Sequence, residues 1–165
     1  MTDSHFGIAL ELTGVRPSQY SGYNFNSMCR FGDMYLGANE HGIFQLEDGE
    51  FDYPDGTTRT EITAYFGLPT SDWGVPNPKT IRRLHVGYES DGPLTVTITP
   101  SDRGVQIRKT LNPPEDHERQ GFASVDGRSD FYARYWSVRI ENSIGSDFSI
   151  DAIEAVMVVL GTGRK

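Results

Sequence analysis

The sequence predicts an all-β protein: an antiparallel β-sandwich, jelly-roll-like, preceded by a short β-meander. Three observations carry this. Apolar and polar residues alternate along several short runs, the period of a strand with one buried face. Glycine (18) and proline (9) fall between those runs as turn signals. No segment sustains a 3.6-residue apolar period. The clearest pair lies in residues 79–100. Leu84, Val86 and Tyr88 share one face of its first strand, with Arg83 and His85 on the other. Leu94, Val96 and Ile98 alternate with Thr95, Thr97 and Thr99 in its second. Asp91-Gly92-Pro93 between them reads as a hairpin turn with positive φ at Gly92.

Taken in order, Ile8, Leu10 and Leu12 alternate with Ala9 and Glu11 until Arg16-Pro17-Ser18 and Ser21-Gly22 break the run. Residues 1–22 therefore read as an N-terminal arm. Residues 23–31, 34–38 and 43–46 read as three short strands, joined by turns at Gly32-Asp33 and Asn39-Glu40-His41-Gly42. The acidic stretch 47–56, with Gly49, Pro54 and Asp55-Gly56, is a surface loop that ends this meander element at residue 56. Residues 57–165 form the sandwich domain.

Within that domain Thr60, Ile62, Ala64 and Phe66 share a strand face. Residues 68–78, with Pro69, Pro76 and Pro78, read as a crossing loop. Val105, Ile107 and Leu111 mark a strand after a turn at 100–104. Residues 112–130, with Pro113-Pro114 and Asp126-Gly127, read as one long polar loop. Residues 131–141 are the strongest strand, with Tyr132, Trp136, Val138 and Ile140 on its core face. Residues 148–160 form the last strand. Its end, 155–160, is apolar on both faces, which places it centrally or under a partner. Val156, Val158 and Val159 are β-branched and argue against a helix there.

The formal net charge of −8 argues against general binding to phosphate backbones, so no nucleic-acid partner is expected. A single cysteine, Cys29, excludes an intramolecular disulfide and a cysteine zinc cluster, and fits assembly in a reducing cytoplasm. Residues 1–5 hold no basic segment leading into an apolar run, so no signal peptide is expected. No run has the length of a membrane-spanning helix, and no membrane span is expected.

Motifs for chemistry are weak. His5, His41, His85 and His117 lack ligand spacing. Asp126-Gly127-Arg128-Ser129-Asp130 starts like a calcium loop but has the wrong spacing and no terminal Glu. Glu115 with Asp116, or Asp55 with Glu61, could pair as carboxylates, but solvated loop charge accounts for both. Gly161-Thr162-Gly163-Arg164-Lys165 has no helix after it to hold a phosphate. No catalytic residue, cofactor or metal ligand is expected. Exposed aromatics carry more weight: Tyr20, Tyr23, Tyr35, Tyr53, Tyr65, Trp73 and Tyr135 are many for loops and outward faces. Such rings suit a sugar-binding face or a subunit interface, and the interface is favoured. Its candidate residues are Tyr23, Phe25, Met34, Tyr35, Ile43, Phe44 and Trp73.

A set of short motifs runs in order from about residue 23 to residue 160. They are Asn24-Phe25-Asn26-Ser27, Gly37-Ala38-Asn39-Glu40-His41-Gly42-Ile43-Phe44 and Thr60-Glu61-Ile62-Thr63. Lys79-Thr80-Ile81-Arg82-Arg83-Leu84 and Val86-Gly87-Tyr88-Glu89-Ser90-Asp91-Gly92-Pro93-Leu94 follow. Arg134-Tyr135-Trp136, Glu141-Asn142 and Ser146-Asp147-Phe148-Ser149-Ile150-Asp151 complete the set. With these the chain resembles a group of tailed-bacteriophage virion structural proteins of tail or baseplate type. Where that group often has Asp-Phe-Gly, this chain has Tyr65-Phe66-Gly67 and then a proline-rich stretch.

The resemblance implies an assembly role in a virion and supplies no catalytic residue. The expectation is a non-enzymatic structural subunit of the tail or tail tip, assembled in the host cytoplasm. It would be homo-oligomeric and would contact other virion tail proteins through repeated interfaces. Residues 23–46 and the N-terminal arm would supply much of that contact. The alternative is a carbohydrate- or receptor-binding module of a tail tip that meets a host-surface glycan. A glycan-cleaving enzyme is a distant third.

Overall fold

A computed structural model of the chain describes residues 5–11, 13, 16–46, 51–53, 55–101, 104–113, 121–126 and 132–161. Among these residues every regular element is a strand, and the eight longer strand pairings are antiparallel. The chain divides into two compact units, Met1–Thr60 and Glu61–Lys165.

The first unit opens with a hairpin of β1 (Phe6–Glu11) and β2 (Arg16–Ser21), in which Phe6 faces Ser21 and Leu10 faces Pro17. Arg16-Pro17-Ser18, expected to break the first run, instead begins β2. A two-stranded ribbon tolerates Pro17 because half the backbone N–H groups of each strand point to solvent anyway. The expected meander follows as β3 (Ser27–Phe31), β4 (Met34–Asn39) and β5 (Gly42–Gln45). Gly32 and Gly42 turn it with φ of 62° and 143°, and the Asn39 carboxamide oxygen accepts the His41 N–H at 2.8 Å. A two-residue ladder of β6 (Phe51–Asp52) with β7 (Thr60–Glu61) lies where the chain passes to the second unit.

The second unit holds β8 (Tyr65–Ser71), β9 (Lys79–Ser90), β10 (Leu94–Pro100), β11 (Ile107–Leu111), β12 (Gly121–Asp126), β13 (Trp136–Asn142) and β14 (Phe148–Val159). One sheet has the order β11-β10-β13-β8 and the other β12-β9-β14. Leu94, Val96, Ile98, Val138, Ile140 and Trp136 of the first sheet join Ile81, Leu84, Val86 and Tyr88 of the second in one buried cluster. Two antiparallel sheets sharing one core are packed in the manner of a sandwich.

The strand faces around residue 90 agree with the sequence reading, but the hairpin does not exist. β9 pairs with β12 and β14, whereas β10 pairs with β11 and β13. Residues 91–93 are a corner that carries the chain from one sheet to the other. Gly92 is not needed there for positive φ, which it lacks. It is needed for space: a Cβ at this position would stand 2.6 Å from Ser146 Cβ. The Ser90 hydroxyl donates to Gly92 O at 2.6 Å and Asp91 N–H to Asp147 O at 3.3 Å, tying this corner to the one at 143–147. In that second corner Ile144 and Gly145 both have positive φ.

Other expectations need correction. The face shared by Thr60, Ile62, Ala64 and Phe66 is not one strand, because residues 62–64 leave the ladder. The buried Asn142 side chain takes over their backbone, accepting Ala64 N–H at 2.9 Å and donating to Ile62 O at 3.0 Å. The crossing loop begins late: β8 continues through Pro69 to Ser71, and the ladder to β13 slips beside that proline. An edge strand accommodates a missing N–H this way. The supposed polar loop 112–130 contains β12, whose backbone completes the far side of β9. β13 starts at Trp136, and Tyr132, expected in the core, is exposed. β14 is neither central nor paired on both sides among the described residues; it ends its sheet.

A bulge at Arg82 lets β9 change which parity faces the core, so Ile81 is buried together with Leu84. It also brings Lys79 inside. The Lys79 ammonium donates to the carbonyls of Arg134 (2.6 Å), Val75 (2.8 Å) and Asn77 (3.4 Å), pinning the loop before β9. Burial pulls its pKa below the usual lysine range; Asp72 opposes this shift and Arg134 adds to it.

Two predictions test this packing. Trp136 is 1 % exposed and donates its indole N–H to Ala133 O at 3.1 Å. Trp136→Ala should therefore cost about 3–5 kcal/mol in denaturant unfolding. An unchanged midpoint would remove Trp136 from the core. Gly92→Ala should also destabilise, through the clash with Ser146, and Ser146→Gly should restore part of the loss. Purely additive effects would mean that the two corners do not touch.

Candidate functional site

The first unit presents the candidate surface, and its physical peculiarity is the lack of a core. Among its described residues only Gly37 is buried. In place of a core it has a row of rings. Tyr20 and Tyr23 lie 5.7 Å apart by ring centroid, Tyr23 and Phe25 meet edge to face at 5.1 Å, and Phe25 and Phe44 lie 5.9 Å apart. Two glycines make room for it. A Cβ on Gly7 of β1 would stand 2.8 Å from the Tyr23 ring, and one on Gly37 of β4 would stand 2.7 Å from the Phe25 ring. The row therefore fastens the β1–β2 hairpin and the meander together. Aromatic pairs of this geometry contribute roughly 0.5–1.5 kcal/mol each beyond area burial.

A cleft of about 480 Å3 opens beside this row, lined by Ala9, Tyr20, Tyr23, Met28, Cys29, Arg30, Tyr35, Leu36 and Leu46. Arg30 supplies its charge. Its guanidinium lies 5.7 Å from the centre of the Tyr35 ring, donates through Nε to Gly32 O at 3.0 Å, and has Nη2 3.6 Å from Asp33 Oδ1. The cleft thus offers aromatic walls and a steadied cation. Such a lining suits the ring of a sugar or an aromatic side chain of another protein.

Apolar side chains also lie open elsewhere on this unit. Phe6, Ile8 and Leu10 alternate on one face of β1, and Ile8 is 70 % exposed. Gly7, on the opposite face, carries Tyr23, so this stripe points away from the ring row. Phe31 (68 %) and Ile43 (75 %) are exposed at the meander.

The predicted interface residues separate into three groups. Met34, Tyr35 and Ile43 are exposed, as an interface requires. Tyr23, Phe25 and Phe44 are half-buried in the ring row and hold the unit together. Trp73 belongs to the second unit, in a tight turn with φ 51°, and packs against the sandwich core. Phe6, Leu10, Met28 and Phe31 are exposed as well, beyond the individual residues named from the sequence; Leu10 lies in the alternating run of the N-terminal arm.

Several other nominated groups have structural partners or lie outside the described residues. Asp55 accepts the N–H groups of Thr57 and Thr58 and both threonine hydroxyls, at 2.5–3.2 Å. These bonds, chiefly those from Thr58, hold its carboxyl well below the usual carboxylate range. A general acid needs the opposite shift. Asp126 pairs with Arg83 across β9 and β12 at 3.0 Å. His41 Nε2 lies 3.6 Å from Glu40. Among the described residues no three of His, Cys, Asp and Glu gather to hold a metal. Leu12, Glu115, Asp116, His117 and residues 127–131 and 162–165 lie outside the described residues.

Phe25→Ala removes the centre of the ring row and should unfold the first unit while the second stays folded. Limited proteolysis should then cut within residues 5–46 and leave the sandwich protected. Equal resistance of variant and wild type would show that the row does not hold the unit together.

No protein-family model matches the chain, and no curated protein matches it.

Proposed function

We propose that this chain is a non-enzymatic structural subunit of a bacteriophage virion, belonging to the tail or tail tip and acting through repeated subunit interfaces. One observation carries the assembly part. The first unit buries no large apolar side chain among its described residues, yet exposes Phe6, Ile8, Leu10, Phe31 and Ile43. Apolar stripes of that kind mark protein–protein contacts. Neighbouring subunits then cover what the unit cannot cover itself. The virion part rests on the ordered motifs between residues 23 and 160.

A second reading, a carbohydrate- or receptor-binding module of a tail tip, is favoured by the cleft walled by Tyr20, Tyr23 and Tyr35 beside Arg30. The residue that tests it is Tyr35, since Trp73 packs on the sandwich core.

The experiment compares wild type with Ile8→Lys/Ile43→Lys and with a chain lacking residues 1–46. All three should be soluble with an intact second unit, and only wild type should enter particles. Entry of both variants at normal copy number would defeat the assembly reading. Glycan-array binding that is lost in Tyr35→Ala would establish the second reading in its place.

A further inference from the structure

The outer face of the sheet β11-β10-β13-β8 is a polar grid whose register the ladders fix. Arg108 of β11, Thr97 of β10, Arg139 of β13 and Gly67 of β8 stand in one cross-strand row. Thr95, Glu141 and Tyr65 stand in the next. Directly opposed residues of an antiparallel ladder point the same way. Val96 and Ile98, on either side of Thr97, are fully buried in the core, so both rows face outward. A ring and a charge are held together here. The Arg139 guanidinium donates through Nε to Glu141 at 2.8 Å and lies 3.7 Å from the centre of the Tyr65 ring. Tyr65 nevertheless stays 56 % exposed.

Two features of this face have no structural explanation. The first is its charge. Glu141 is the one carboxylate at the paired positions of the face, and Arg139 balances it. Arg108 donates to the neutral Gln106 Oε1 at 3.2 Å, so its charge is uncompensated there. The face is therefore locally cationic in a chain of net charge −8. The second feature is Gly67. It lies inside β8 without the positive φ that favours glycine, and a Cβ there would meet nothing nearer than 3.9 Å. Glycine weakens a strand, and where neither turn nor crowding demands it, it marks a close approach to the backbone. Gly67 stands beside Arg139 in its row and against the edge of the Tyr65 ring. It leaves a notch that a longer side chain would fill.

We propose that this face binds an acidic polysaccharide, a chain of sugar rings that repeats its carboxylate. One sugar seats in the notch at Gly67, with its C–H surface on Tyr65 and its polar groups on Arg139 and Glu141. An aromatic ring with a polar rim suits that kind of amphipathic contact. The carboxylate of another sugar in the chain meets Arg108, across Thr97 and two strand spacings away, roughly 10 Å. Guanidinium forks match carboxylates with paired hydrogen bonds. A single acidic sugar reaches only one end of this row, whereas a polymer reaches both. The Thr95 hydroxyl adds a hydrogen-bonding group beside the path. This inference goes beyond the proposed function, because it uses neither residues 1–46 nor the cleft at Tyr35.

Calorimetric titration of the full chain tests it, with hyaluronate, alginate and polygalacturonate as acidic polysaccharides. Dextran serves as the neutral polysaccharide and poly-glutamate as the polyanion without sugar rings. Wild type should bind at least one of the three acidic chains, more weakly as salt is raised, and neither counter-probe. Arg108→Gln should weaken binding roughly tenfold, the effect of losing a charge-assisted hydrogen bond. Gly67→Val should abolish it with the circular dichroism unchanged, since valine suits a strand. Tyr35→Ala should bind as wild type does. Silence of all three acidic chains would overturn the proposal, and so would undiminished binding by Arg108→Gln or Gly67→Val. Equal binding of dextran would remove the need for the carboxylate, and equal binding of poly-glutamate the need for the sugar; either result overturns it. Binding lost in Tyr35→Ala but kept in Gly67→Val would place the glycan in the cleft, against this proposal and in favour of the second reading above. Binding by a chain that fails to enter particles would uphold the proposal while the assembly reading falls.

Discussion

Gly92 and Ser146 approach so closely that no side chain fits between them, and the layering of the second unit depends on that approach. Two corners meet there, one leaving β9 and one entering β14. Their backbones would be costly to bury without partners. Ser90 satisfies the first through Gly92 O and Asp147 O, and Asn142 satisfies the second by donating to Ser146 O at 2.9 Å. Asn142 also holds residues 62–64, so the entry to β8 is fixed by the same side chain. Once the corners are locked, β10 stacks on β9 and β13 on β14.

The two units solve the burial problem in opposite ways. The second has layers of aliphatic side chains and Trp136 at near-zero exposure. Burial of that kind contributes roughly 1.5–3 kcal/mol per large side chain. The first has rings laid over glycines, which keeps its strands close without enclosing anything. A short meander and hairpin lack the strands to form two covered faces. Apolar residues on both faces of such thin sheets are stabilised only when something else lies against them.

The sequence made the strands legible and the pairing partly illegible, for a physical reason. Alternation reports which face of a strand is buried, and it was correct for Leu84, Val86, Leu94, Val96, Ile98, Trp136, Val138 and Ile140. It does not report which strand lies alongside. A short Asp-Gly-Pro connection serves a hairpin and an inter-sheet corner equally well, because both reverse the chain within a few residues. Asp-Gly in sequence suggests a φ requirement at Gly92, whereas the glycine answers a contact from Ser146, far along the chain. β12 was hidden because its neighbours are polar and its pairing to β9 is a backbone matter. The ring row was half legible: the aromatics stood out, but their turning inward depends on Gly7 and Gly37 in other strands.

Charge and apolar surface act at different ranges in this molecule, and that difference shapes how copies can meet. A net charge of −8 repels copies at a distance, but beyond about 8 Å physiological salt screens it. Within that range the outcome depends on what lies at the seam. Along β14 the carboxylates Asp151 and Glu154 stand toward the beginning, and the end is aliphatic. Repulsion between carboxylates therefore acts at the beginning of that strand, and burial of apolar surface at its end.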